Sequence, residues 1–220
     1  MTIVLGDERG ASQIVHRLHA AKPRSAKPLS DSTREAAAPD VDRERAISAA
    51  ADLLTALGRD LESDNLGETP RRFVDSLLEL LTPTEFAATT FSNSEGYREL
   101  VLVKDIPFHS LCEHHLLPFR GVAHIGYLPD DRLLGLSKFA RVLEYFSRDL
   151  QVQERLTRQI ADWFVCELQP RGVGVVLEAE HLCMSLRGVQ AAGATTVTTT
   201  FLGELAQAGP FRSQFGVDAQ

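Results

Sequence analysis

Two short clusters of cysteine and histidine constrain this chain more than any other feature. SLCEHHLLPF spans 110–119 and HLC spans 181–183. Thiolate and imidazole are the donors zinc prefers, and Cys-x-x-His supplies half of a zinc site. The second cluster supplies the other half, so the fold must bring the two together. The donors available suggest Cys112, His115 and Cys183 as a set of three. Three protein ligands leave a fourth position open, the arrangement of a catalytic rather than a structural centre. His114 and His181 then stand nearby as acid/base groups. The plainer alternative is buried thiols and satisfied histidines, and two clusters in one small chain weigh against it. Cys166 has no histidine near it in sequence and reads as an inert buried thiol.

The rest of the chain narrows the class. It has 220 residues, 44% of them hydrophobic and 24% charged, as in an ordinary globular protein. No apolar run approaches the ~18–20 residues of a membrane helix. The opening MTIVLGDERG has acids straight after a very short apolar run, unlike a secretory signal. Three cysteines do not make a disulfide framework and suit a reducing, cytoplasmic compartment. A net charge of −7 disfavours nucleic-acid binding, which depends on a basic surface. An anionic substrate would need a local basic cluster. The absence of H-E-x-x-H and P-C-x-x-C excludes the common metalloprotease and nucleobase-deaminase layouts.

Residues 1–42 carry Ala, Ser, Pro and both charge signs without an apolar period. They read as a disordered tail, dispensable for folding and chemistry. Residues 43–220 are expected to form the folded domain that carries the chemistry. Ile47, Ala50, Leu54 and Leu57 mark a helix that Gly58 ends. Thr69 is placed to cap a second helix with Pro70 in its first position, and Phe73, Leu77, Leu78 and Leu81 on one face. Strands are expected at 99–107, 121–129, 172–180, 181–189 and 195–203, with helices at 138–146, capped by Ser137, and 151–168. Without regular βαβ alternation, the pattern predicts an α+β fold with an antiparallel sheet.

Two further groups carry chemistry. In GLSKFAR (135–141), Lys138 and Arg141 lie three apart on one helical face behind Ser137, a cradle for phosphate at a helix start. Arg187, four residues after Cys183 on an expected strand, would share the face of the metal ligand. Solvated surface charge is the alternative. In QVQERLT (151–157), Glu154 falls in the first turn of a helix, where a carboxylate is comfortable. Its functional reading is recognition of guanine, whose N–H and NH₂ edge gives two parallel hydrogen bonds.

Together these motifs closely resemble the zinc-dependent GTP cyclohydrolase I family. The matching stretches include ETPRR (68–72), SLCEHHLLPF (110–119), HIGYLP (124–129), GLSKFAR (135–141), QVQERLT (151–157), GVGVVLEAEHLCM (172–184), RGVQ (187–190) and TTVTTTFLG (195–203). They run in family order over about residues 43–205. The resemblance implies a hydrolase that converts GTP and water to 7,8-dihydroneopterin triphosphate and formate, the entry to folate and tetrahydropterin synthesis. It implies one Zn²⁺ per subunit and the tunnelling fold, with helices on one side of the sheet. It also implies a homodecamer of two stacked five-membered rings with active sites between subunits. Cys112, His115 and Cys183 match the zinc ligands, and His114 and His181 the acid/base histidines. Ser137 matches a residue that assists the ribose steps. Ser137, Lys138, Arg141, Arg187 and Arg72 match triphosphate or ribose contacts, and Gln153 and Glu154 match guanine contacts.

Two departures stand out. Asp75 lies one helical turn after Arg72, where some relatives carry a basic residue toward the phosphates. The segment after Leu205 only partly echoes the family's C-terminal helix. Two competing readings are a zinc-bearing, non-catalytic or regulatory paralogue on the same scaffold and another pterin or purine enzyme of the tunnelling fold. The latter includes 6-pyruvoyl-tetrahydropterin synthase, which ligates zinc with histidines alone, so Cys112 and Cys183 argue against it.

Overall fold

The computed structural model describes residues 41–216. The expected tail therefore lies outside the described residues, apart from Val41 and Asp42. Two helices come first, α1 (Arg43–Ala56) and α2 (Thr69–Leu81). Asp42 caps α1, its carboxylate accepting from the Arg45 amide. Pro70 sits in the first turn of α2 as expected, but Thr69 is already helical and Glu68 is the cap, with no side-chain cap bond. Asp75 accepts two bonds from Arg43, at 2.8 and 2.9 Å, and so ties α2 to α1. That pairing holds the Arg43 guanidinium above its ordinary pKa. Phe73 is exposed, so the predicted apolar face of α2 is only partly covered within the chain.

The core is built on a five-stranded sheet in the order β5-β2-β3-β6-β7. Its members are β2 (Val101–Cys112), β3 (Pro118–Leu128), β5 (Leu150–Gln151), β6 (Gly172–His181) and β7 (Thr196–Gly203). Strands β2, β3, β6 and β7 pair antiparallel. The edge strand β5 pairs parallel with the end of β2, which makes the sheet mixed where antiparallel was expected. Two residues are too few for a periodic signal, which is why the sequence does not show it. A separate pair joins β1 (Thr90–Ser92) to β4 (Arg132–Leu134).

Helices α3 (Ser137–Ser147) and α4 (Gln153–Leu168) cover one face of the sheet. The alternation of β3 sends Ala123, Ile125 and Tyr127 inward, all fully buried. They meet Phe139 and Val142 of α3 and Leu156, Ile160 and Phe164 of α4. The opposite face is covered at one end by Leu205 and Phe215, which join Leu128 and Val176. Gly126 and Gly174 are register partners beneath that ring. A Cβ on Gly174 would lie 2.5 Å from Phe215 Cζ, so two bare backbones make the hollow the ring fills. Phe215 thus anchors the described residues after Leu205, which beyond the 3₁₀ turn (Glu204–Ala206) form one helical turn, α6 (Pro210–Ser213).

The sequence beyond His181 departs from expectation. HLCMSLRGV is not a strand: β6 ends at His181, and Leu182–Ser185 forms a short helix, α5. His181 and Cys183 therefore do not share a strand face, and Arg187 lies past the helical turn instead of along a strand.

Candidate metal centre

Cys112 is the last residue of β2, and a tight turn follows it. Its carbonyl accepts from the amides of His115 and Leu116 at 3.3 and 2.8 Å. Leu116 takes a left-handed conformation, φ 55°, a position a branched side chain adopts only under constraint. Arg155 holds the turn from outside, donating to Glu113 at 2.6 Å and to the Leu150 carbonyl. The turn folds His115 back toward Cys112, with Nδ1 4.0 Å from Sγ. Across the sheet, α5 brings Cys183 to the same place. Donor atoms of Cys112, His115 and Cys183 all lie within 4.8 Å of one another. Among the described residues this is the one group of three such donors.

The chemistry of the set fits a zinc ion. Zinc holds sulfur at ~2.3 Å and imidazole nitrogen at ~2.0–2.1 Å, so tetrahedral donors stand roughly 3.5–4 Å apart. Burial pushes the Cys183 thiol up, and Cys112 beside it pushes the same way, while its own backbone amide and Arg187 pull down. A dication held there would favour the Cys183 thiolate against burial and the neighbouring sulfur. His114 is also close to Cys112, with Nδ1 3.8 Å from Sγ, but it does not converge with Cys183. It is exposed and lies 3.9 Å from Glu113.

His181 ends β6 opposite Phe119, its register partner. The two rings stack with centroids 4.7 Å apart and planes 5° apart. Its Nε2 is 2.7 Å from Gln153 Oε1. Burial holds the imidazole below the ordinary histidine value, and the charge of Glu154 works against that. Glu154 is exposed in the first turn of α4, as expected. Gln153 differs from expectation: it is 1% exposed, and its amide donates to the carbonyls of Leu177 and Thr196, each at 3.0 Å. Both of its hydrogens are committed to backbone. Phe119 and the Gln153 bond carry no sequence spacing that could have announced them.

The basic residues fall into separate places. Arg187 is close enough to Cys183 to affect its thiol. Ser137, Lys138 and Arg141 belong to the start of α3, although Leu136 is the cap and Ser137 the first helical residue. That start stands at the other end of the sheet. Leu134, just before it, donates its amide to the Tyr127 hydroxyl, and Phe139 packs on Tyr127. Tyr127 is eight positions along β3 from Phe119, roughly 26 Å at ~3.3 Å per residue. Lys138 lies over the Phe86 ring, and Arg141 lies 3.9 Å from Glu144. Arg72 is exposed on α2 and makes no ion pair among the described residues.

The architecture and the cluster together define an α+β protein with a cysteine–histidine cluster, fit to hold a metal ion, at one end of a curled sheet. The family model for GTP cyclohydrolase I matches residues 46–218, and the chain belongs to that enzyme family. It is similar to GTP cyclohydrolase 1 of Allorhizobium ampelinum, 48% identical over 178 residues, covering 79% of this chain and 89% of that one. It is 51% identical to GTP cyclohydrolase 1 of Brucella anthropi over 158 residues, covering 70% and 74%. It is 49% identical to GTP cyclohydrolase 1 of Aquifex aeolicus over 163 residues, covering 74% and 89%. Among solved structures it shows a partial likeness to the archaeosine synthase QueF-Like in the apo form, at 15% identity and TM-score 0.40, covering 48% of this chain and 94% of that one.

Proposed function

We propose that the chain converts GTP and water to 7,8-dihydroneopterin triphosphate and formate, with one zinc per subunit on Cys112, His115 and Cys183. The observation that carries this is the convergence of those three donors, from sequence positions far apart, in a chain of the GTP cyclohydrolase I family. A zinc ion held there supplies Lewis acidity, which makes water an effective nucleophile near neutral pH.

The chain's own residues do the rest. Glu154 accepts from the N–H and NH₂ edge of guanine and orients the base. His181 exchanges a proton with the imidazole ring of the base as C8 is attacked and the ring opens. A second hydrolysis releases formate. His114 and Ser137 assist the opening and rearrangement of the ribose, after which the freed amine closes onto the sugar carbon. Lys138, Arg141, Arg187 and Arg72 anchor the triphosphate away from the chemistry, so binding energy goes into orientation.

The separation of Ser137, Lys138 and Arg141 from the metal centre supports a site shared between copies. One copy supplies the cysteines and His181, and a neighbour supplies the start of α3. A homodecamer of stacked rings, as the family resemblance implies, provides such contacts. No helix among the described residues is long and apolar enough to cross a membrane. A cytoplasmic location suits Cys112, Cys166 and Cys183, none of which forms a disulfide among the described residues.

The test is incubation of the purified, zinc-loaded protein with GTP. Equimolar formate and a pteridine absorbance are expected, both lost on chelation and restored by zinc. Zinc binding without formate release overturns the reading in favour of a non-catalytic paralogue.

A further inference from the structure

Gln153 stands where the family resemblance leads one to expect a contact to the base, yet its side chain is built into the protein. It is 1% exposed at the start of α4. Its NH₂ group donates to the carbonyl of Leu177 on β6 and to that of Thr196 on β7. A carbonyl oxygen can only accept, so these two bonds fix which end of the amide is nitrogen. A flipped amide would set its oxygen against two other oxygens. The end facing His181 is therefore Oε1, an acceptor, 2.7 Å from Nε2. For that bond to exist, Nε2 must carry the hydrogen. The stacked Phe119 ring removes the remaining freedom, since the imidazole cannot rotate without leaving the ring face. No hydrogen bond engages His181 Nδ1 among the described residues.

We infer that Gln153 is a positioning residue for His181: it holds the imidazole with its hydrogen on Nε2 and leaves Nδ1 as the ring nitrogen that meets substrate. Recognition of guanine then rests on Glu154, its neighbour on the exposed side of α4, and not on the Gln153 side chain. Adjacent residues of a helix point in different directions, which is how one turn can serve both tasks. The same two backbone carbonyls join the middle of β6 and the start of β7 to α4. The sheet itself thus sets the orientation of the catalytic ring.

This inference rests on the proposed proton-exchange role of His181, and the test separates the two. Formate release and zinc content are measured for Gln153→Met, His181→Ala and the double variant, with KM for GTP. A residue acting through His181 couples to it. Gln153→Met should retain zinc, lose roughly tenfold to a hundredfold in kcat, and leave KM within about twofold, since small misplacements are costly in rate. In the His181→Ala background the same change should cost less than about twofold. An equal cost in both backgrounds, or a loss mainly in KM, overturns the positioning role and returns Gln153 to substrate contact. If His181→Ala alone releases formate normally, the proton-exchange reading fails instead. A second measurement needs no folded Gln153 variant. Solid-state ¹⁵N spectra of histidine-labelled, zinc-loaded protein, with His181 assigned by difference against His181→Gln, should show the neutral ring protonated at Nε2. Protonation at Nδ1 overturns the inference.

Discussion

Phe119 and His181 lie face to face at 4.7 Å, opposite each other on neighbouring strands. Phe119 is fully buried and also meets Phe108 edge-on at 6.1 Å. The ring is thus both core and platform. Phe119→Leu should cost about 1–1.5 kcal/mol of stability, the scale of a lost aromatic pair, measured by urea unfolding. It should leave zinc bound and lower kcat by more than the stability loss explains. An unchanged kcat would make Phe119 a core residue only.

Metal content discriminates among the three cysteines. Cys183→Ser should lose most of its zinc by elemental analysis, and Cys166→Ser should keep all of it. Full occupancy in Cys183→Ser ends the three-ligand assignment.

Arg187 lies close to the Cys183 thiol of its own chain. Its replacement by Ala should weaken GTP by about 1.5–3 kcal/mol, the range of a charged hydrogen bond, and guanosine far less. Equal losses for the two ligands would remove its phosphate role.

Glycine at 174 has a steric reason. A methyl group added there would meet Phe215 Cζ at 2.5 Å, so Gly174→Ala should destabilise the chain by about 1–3 kcal/mol, the range for overpacking. Combining it with Phe215→Leu should cost less than the sum of the single changes. Thermal unfolding of the four proteins measures this, and simple additivity would show that the ring does not fill the hollow.

Tyr127 gives a pH signature. Its phenol is buried and accepts from the Leu134 amide, and burial pushes its pKa up. The neutral form is therefore favoured by the fold. The stability this contributes is present below the unfolded value of about 10 and is lost as pH rises through the folded value. Tyr127→Phe should be less stable at neutral pH by about 1 kcal/mol, with a flatter decline above pH ~10. Parallel alkaline limbs for the two proteins would show that Tyr127 does not govern that transition.

Residue type singles out Cys112, His115 and Cys183 wherever the chain places them, and the fold brings their donor atoms together. Residue type and spacing carry α4, whose Leu156, Ile160 and Phe164 are all fully buried. What they do not carry is direction. Counting in twos puts His181 and Cys183 on one strand face, and the chain turns helical between them. The turn is needed to aim Cys183 at Cys112, a tertiary demand that overrides the local β pattern. Ser137 and Thr69 have the chemistry of caps but sit one residue inside their helices. Asp75 looks in sequence like a missing phosphate contact, yet its partner is Arg43, on another helix and outside any local pattern. Gln153 reads in sequence like its neighbour Glu154, and its burial depends on β6 and β7, which lie later in the chain.

The placement of the α3 start far from the cysteines has an arithmetical consequence. On the proposed reading, with copies arranged head to tail in a ring, each chain lends its phosphate grip to one neighbour and its metal to the other's grip. In an open row of copies, the last metal centre has no grip beside it and the first grip has no metal. Only a closed circuit gives every chain a whole site. On that proposal closure is a condition of full activity per chain, and partial assemblies fall short by one site for each break.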